Sequence, residues 1–167
     1  MLLRIAALLA WAGALFGQPV AKLYTVSVLA GAPHTYPDGV PAAGALFESV
    51  SGVWVVGSGE ILVTDADSHC VRRILADGTI RTVAGVCGKS GYSGSGKPAL
   101  ESLLNRPAVA VEDAQGNIYI ADTGNSRIRK VTPAGVMTDY AGTGDFGFSG
   151  DEGPAASARL GNPVSLW

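Results

Sequence analysis

Short stretches in which apolar and polar residues alternate follow one another along most of the chain, with glycine, asparagine and aspartate between them. A period of two predicts strands that bury one face, and the many β-branched residues favour the same structure. The clearest stretch predicts four strands, at 108–111, 117–121, 127–131 and 136–140. Gln115-Gly116 predicts a turn between the first two and Ala134-Gly135 a turn between the last two. The pattern therefore predicts an all-β fold.

The same pattern recurs along the chain. The segment ILVTDADSHCVRRILADGTI, starting at Ile61, aligns with IYIADTGNSRIRKVTPAGVM, starting at Ile118, at an offset of 57 residues. A second pair, SGSGKPALESLLNRPAVAV from Ser93 and SGDEGPAASARLGNPVSLW from Ser149, repeats at an offset of 56. A weaker third copy lies upstream, with Pro41 placed 57 residues before Pro98. Such a period is typical of repeat architectures.

Each copy, with four antiparallel strands, corresponds to one blade of a β-propeller. A glycine-rich stretch connects successive copies, and it contains a predicted one-turn helical patch at 98–104. The strand count leaves one outer strand near 24–29 and the start of a further set at 164–167.

Two blades cannot close a ring, which usually requires roughly four to eight. Three explanations remain open: the chain is part of a longer reading frame, it assembles with further blades from the same or another chain, or it is an open and marginal protein. We favour the first, because ending on Ser165-Leu166-Trp167 would leave an unpaired apolar strand edge.

The segments GNIYIADTGNSRIRKVTPAG, at 116–135, and AGTGDFGFSGDEGPAASARLGNPVSL, at 141–166, closely resemble the NHL repeat of bacterial exported proteins. The resemblance covers 28–167 and includes the family's Asp122, Asn125, Arg127 and Arg129. The first copy departs from it, with His69 and Cys70 in place of Ser126 and Arg127. The resemblance implies a six-bladed propeller that binds proteins, peptides or glycans, with enzymatic relatives among amidating lyases and lactonase-like propellers.

The N-terminus predicts export. One positive charge in the first four residues precedes an apolar run at 5–16, which is too short to span a bilayer as a helix. We interpret 1–17 as a signal peptide, cleaved after Ala14 or Gly17, and 18–167 as the repeat region. The prediction is therefore a secreted or periplasmic protein without a stable membrane anchor.

Composition narrows the classes of partner. Hydrophobic residues make up 47% of the chain, charged residues 16%, and the net charge is -2. One globular domain is expected, and nothing in the charge balance would attract a nucleic-acid backbone. No nucleic-acid partner is predicted.

Two cysteines, Cys70 and Cys87, leave a disulfide open as an alternative to simple packing. If 71–75 and 80–83 form a hairpin around Asp77-Gly78, the two side chains share a face at a diagonal. That separation is slightly long for a bridge.

Several carboxylates invite a metal interpretation. Asp65, Asp67 and Asp122 follow the second strand of each copy, where a carboxylate more often accepts backbone hydrogen bonds and fixes a turn. Asp145, Asp151 and Glu152 could bind calcium, although a solvated loop is the favoured interpretation. The two histidines, His34 and His69, supply no catalytic zinc spacing. We predict no cofactor and no enzyme, with a metal-assisted lyase or lactonase-like enzyme as the alternative.

Residues for a ligand-binding face come from matching positions of the copies. Arg72, Arg73, Arg129 and Lys130 would form a basic arc for an acidic peptide or sugar acid. Tyr92, Phe146 and Phe148 stand in equivalent connections, where they would stack on a sugar or plug the gap between blades. The favoured function is an extracytoplasmic binding or scaffold module. The alternatives are the enzyme named above and a fragment with no independent activity.

Overall fold

The computed structural model describes residues 35–167. The signal peptide at 1–17 and the outer strand near 24–29 lie outside the described residues and stay predictions. No helix within residues 35–167 is long and apolar enough to cross a membrane.

The described chain forms two antiparallel sheets of five strands each. In chain order, the first sheet contains β1 (Val40–Pro41), β2 (Val50–Val55), β3 (Ile61–Asp65), β4 (Cys70–Ile74) and β5 (Thr79–Ala84). The second contains β6 (Lys97–Pro98), β7 (Ala110–Glu112), β8 (Ile118–Asp122), β9 (Arg127–Val131) and β10 (Val136–Ala141). The spatial orders, β1-β5-β4-β3-β2 and β6-β10-β9-β8-β7, are the same, so the two copies of the repeat are two copies of one sheet.

The predicted all-β fold is confirmed, with small differences in the strands. β9 has its predicted bounds, whereas β7 begins two residues late, although the Ala108 amide still donates to the Ala121 carbonyl at 2.9 Å. Each sheet also gains a two-residue outermost strand, β1 or β6, from the connecting segment before it. This fifth strand escaped prediction because two residues carry no periodicity.

Two other expectations differ from the structure. The predicted helical patch at 98–104 contains a strand residue and a turn, while short 3-10 helices occupy the equivalent places, Ala42–Gly44 and Ala155–Ser157. Residues 164–167 adopt no strand. A strand needs a hydrogen-bonded neighbour, and none of the described strands pairs with these residues.

The main core lies between the sheets, because alternate side chains of each point to opposite faces. Leu62 and Val71 from the first sheet meet Ile120 and Met137 from the second, and Leu104 of the connecting segment joins them, all of them buried. A smaller cluster covers the opposite face of the first sheet. It consists of buried Ala42, Ala45, Val63, Ile74 and Ile80.

Gly85 shows why glycine recurs after the outer strand of each blade. A Cβ at Gly85 would lie 2.5 Å from the His69 carbonyl, and its φ of +87° suits glycine. Gly142, at the same position of the second copy, has φ +92° and would meet the Ser126 carbonyl at 2.5 Å. The chain therefore passes close to the start of β4, and in the second copy to the start of β9, before it continues to the next blade.

This crossing also decides the state of the cysteines. Cys70 and Cys87 form a disulfide, with a Cα–Cα distance of 5.1 Å. The slightly long diagonal expected from a continuous hairpin is corrected here: β5 ends at Ala84, and the turn at Gly85 carries Cys87 back over Cys70.

Removing this disulfide, by Cys70→Ala with Cys87→Ala, is expected to lower the free energy of unfolding by about 3 kcal/mol. The reason is that a cross-link spanning 17 residues restricts the unfolded chain. Urea denaturation followed by circular dichroism measures the loss. Reduced wild-type protein should match the double variant, and equal stability of oxidised and reduced wild-type protein would contradict the prediction.

Candidate functional site

A buried carboxylate stands at the end of β3 in the first blade and at the end of β8 in the second. Asp122, at the end of β8, accepts hydrogen bonds from the Asn105 amide and from Asn125 Nδ2, both at 2.8 Å. Arg129 Nη1 lies 3.3 Å from its Oδ2, and both side chains are wholly buried. Burial raises the pKa of Asp122, while the hydrogen bonds and the Arg129 charge act in the opposite direction.

Asp65 occupies the same position in the first blade. Its carboxylate accepts hydrogen bonds from the amides of Glu48 and Ser49, at 2.9 and 2.8 Å, and from Ser68 Oγ at 2.7 Å. In both blades the carboxylate therefore holds the chain where it returns to the innermost strand. Within residues 35–167, no group of three or more His, Cys, Asp or Glu side chains is placed to hold a metal ion.

Arg129 links this carboxylate to the connecting segment. Its Nη2 donates to the Gly94 carbonyl at 2.7 Å, and its Nε lies 2.7 Å from Asp139 Oδ1. The Tyr92 ring lies 5.1 Å from the Arg129 guanidinium carbon, and the Tyr92 hydroxyl donates to Asp139 at 2.6 Å. That hydrogen bond is the main cause of a raised Tyr92 pKa. Tyr92 thus lies against its own blade junction.

Arg72 repeats this arrangement with one exchange. Its Nη2 donates to the Pro37 carbonyl at 2.8 Å and lies 3.4 Å from Asp38 Oδ1. In the second blade the acid is Asp139 on the outer strand, facing Ser95 of the connection. In the first blade the acid is Asp38 of the connection, facing Thr82 on the strand. Each arginine therefore has one acidic partner at the junction between outer strand and connection, Asp38 for Arg72 and Asp139 for Arg129, and the two acids come from opposite sides of it. Burial lowers the pKa of Arg72.

The four basic residues expected to form an arc lie apart. Arg72 and Arg129 are wholly buried on one face of their sheets. Arg73, on the opposite face, pairs with Glu60 at 3.1 Å and with Glu112 of the second sheet. Lys130 lies 5.4 Å from the Tyr119 ring centre. Their side chains alternate because the residues are neighbours on a strand, so the described residues present no single exposed basic arc.

The aromatic residues of the predicted ligand face also separate. Tyr92 covers Arg127, with 4.1 Å between guanidinium carbon and ring centre. Phe148 stands at the repeat position of Tyr92, yet it is 87% exposed, and Phe146 is 67% exposed. The difference arises because no described blade lies beneath the last connecting segment.

A groove of about 750 Å³ crosses the boundary between the blades. Its walls are β5, the connecting residues 98–101 and the β9–β10 turn, and its apolar lining includes Val83, Ala99 and Val131. The Arg73–Glu112 ion pair lies in one wall. We call this cavity the interblade groove.

Two charges in the interblade groove remain without partners. Arg81 and Glu101 line it and are exposed, and neither side chain makes a hydrogen bond or ion pair with the described residues. Sequence reasoning missed both. A usable signal existed, because the second copy has neutral Thr138 and Ser157 at these two positions.

A second cavity, of about 370 Å³, lies on the outer face of the second sheet. Tyr119 and Tyr140 meet there edge to face, with ring centres 5.0 Å apart, and Trp167 borders it. This face corresponds to the one that the first sheet buries against the second.

No protein-family model matches the chain. Mouse Teneurin-3 is 32% identical over 109 residues, a match that covers 58% of this chain and 4% of Teneurin-3. A solved Bacteroides thetaiotaomicron protein of unknown function has a TM-score of 0.58 and 21% identity, covering 66% of this chain and 28% of the other. An auxiliary nutrient binding protein from the same organism has a TM-score of 0.55 and 21% identity, covering 67% and 30%.

These comparisons establish the fold. The two solved structures are propeller proteins, and the described sheets are β-propeller blades, as the repeat predicted. The chain spans less than a third of either solved protein and a small part of Teneurin-3.

Replacing Arg129 with Met is expected to lower the free energy of unfolding by about 3–5 kcal/mol, because it leaves Asp122 buried without its cation. The matched control is Lys130→Met, the next residue on the same strand. Lys130 is only half-buried, so the loss should stay below about 1 kcal/mol. Chemical denaturation measures both variants, and similar losses would contradict the prediction.

Proposed function

We propose that this protein is an exported binding or scaffold module, secreted or periplasmic, built from NHL-type propeller blades. Its ligand is a protein, peptide or glycan held in the interblade groove. The observation that carries this proposal is an apolar groove of about 750 Å³ that also contains two charges, Arg81 and Glu101, with no partner among residues 35–167.

The size and walls of the groove support binding. Ligand sites are typically about 300–1,000 Å³, mostly apolar, with a few polar groups that orient the ligand. The walls are held by backbone hydrogen bonds: the Ala99 amide donates to the Gly135 carbonyl at 2.7 Å, and the Gly85 amide donates to the Ala99 carbonyl at 3.0 Å. Both blades contribute side chains to the groove, so its two described walls are held in place by the packing of the blades.

The fold supports the same class of function. The Bacteroides thetaiotaomicron protein with the same blade architecture is named for nutrient binding. A shared fold does not transfer a function, so the proposal depends on the groove and takes the comparison only as agreement.

The proposal includes no catalysed reaction. A metal-assisted lyase would use carboxylates such as Asp65 and Asp122. In this structure the oxygens of both are engaged by amides and side chains of their own blade. A carboxylate with these contacts positions the chain rather than a substrate.

Filling the groove tests the proposal. Ala134→Trp places a large ring at an exposed lining position, and Ala76→Trp is the matched control in the equivalent turn of the first blade. Thermal melts of the full chain are recorded with a tryptic digest of casein and with a mixture of cello- and manno-oligosaccharides. At least one mixture should raise the melting temperature of wild-type protein and of Ala76→Trp by several degrees, because a ligand that binds the folded state stabilises it.

Ala134→Trp should lose that increase while keeping the melting temperature of the unliganded protein. An increase that survives in Ala134→Trp would place binding outside the groove. No increase with either mixture would contradict the proposed function for these ligand classes.

A further inference from the structure

We infer that the interblade groove takes a short peptide with free termini, whose carboxylate pairs with Arg81 and whose ammonium group pairs with Glu101. This inference rests on the proposed function and deepens it by naming the ligand class. It depends on charge, apolar lining and the comparison between the two copies of the repeat.

Five charged residues line the groove, and three of them have partners. Arg73 and Glu112 satisfy each other across the blade boundary. Asp38 is also occupied, because its Oδ1 accepts hydrogen bonds from the Thr82 amide and from Arg72. Within the part of the chain that the structure describes, Arg81 is then a cation without an acceptor, and Glu101 an anion without a donor. A ligand that forms an ion pair with each of these two residues carries one negative and one positive group.

The lining between these charges favours a peptide. It is formed by small and aliphatic side chains and by Pro98 and Pro133. Such a surface accepts a peptide backbone with apolar side chains. Among residues 35–167, no aromatic side chain lines the groove, so this part of the chain supplies no ring on which a sugar would stack. A guanidinium group matches a carboxylate with two parallel hydrogen bonds, which suits Arg81 to a peptide C-terminus.

The repeat shows that the fold does not need these two charges. The second copy has Thr138 where the first has Arg81, and Ser157 where the connection has Glu101. By contrast, the buried Asp65 and Arg72 recur as Asp122 and Arg129. The buried carboxylate and arginine of each blade are therefore repeated, whereas Arg81 and Glu101 are not. The unmatched pair is particular to this boundary, as expected for residues that recognise a ligand.

Isothermal titration of the full chain with trileucine and trialanine tests the inference. Each peptide is compared with its C-terminal amide and its N-acetyl form. Either modification should weaken binding to wild-type protein about tenfold, the factor expected for losing one hydrogen-bonded charge pair. Arg81→Gln should bind the free peptide about tenfold more weakly and become insensitive to amidation. Glu101→Gln should become insensitive to acetylation.

Lys89→Gln and Glu152→Gln are the matched controls, since both residues are exposed and lie outside the groove lining. Both should bind trileucine as wild-type protein does. The inference is overturned if amidation and acetylation leave binding unchanged, or if Arg81→Gln still discriminates the amide.

A third arm separates this inference from the proposed function. If the oligosaccharide mixture binds in a manner blocked by Ala134→Trp while both peptides fail, the groove is a binding site and the peptide assignment is wrong. If neither class binds, the proposed function fails as well.

Discussion

Each blade depends on the hydrogen bonds that the carboxylate at the end of β3 or β8 accepts. The connecting segment must leave the outer edge of one blade and return to the innermost strand of the next, which brings backbone amides into the interior. Asp65 and Asp122 accept hydrogen bonds from those amides, at Glu48, Ser49 and Asn105. An unpaired buried amide costs about 1–3 kcal/mol. The carboxylate therefore decides where the innermost strand begins and, through it, how the two sheets face each other.

The blades keep this contact and vary what surrounds it. At the crossing after the outer strand, the first blade has the Cys70–Cys87 disulfide. The second has Arg127 at the position of Cys70, and its guanidinium donates to the carbonyls of Thr143 and Asn125. Arg127 fills the space beside Gly144, where a Cβ would overlap its side chain. A covalent bond in one copy and hydrogen bonds in the other therefore connect the same two segments. The exchange of acids beside Arg72 and Arg129 is a second case in which the two blades make an equivalent contact with different residues.

The fold could be predicted because its causes are local or periodic. The alternation of apolar and polar residues predicted β8, β9 and β10. The repeat offset then predicted the equivalent strands of the first blade. The environment of the arginines could not be predicted in this way. Arg72 lies on an alternating strand that resembles one with a solvated face, and only the return of the connecting segment over that face buries it. The candidate site could not be predicted for a related reason, since Arg81 and Glu101 come to line one groove only after the two blades pack.

The division between repeated and unrepeated charges explains why a groove, rather than a blade face, suits ligand recognition. The blade faces are apolar and are shaped to pack on another blade, as Leu62 and Ile120 do. A ligand there would compete with the packing that holds the fold. The interblade groove lies at the outer edge of the boundary, where the repeated contacts already fix both walls. Its exposed charges can therefore differ from those of another boundary without cost to the core, which is why the proposal places ligand recognition there.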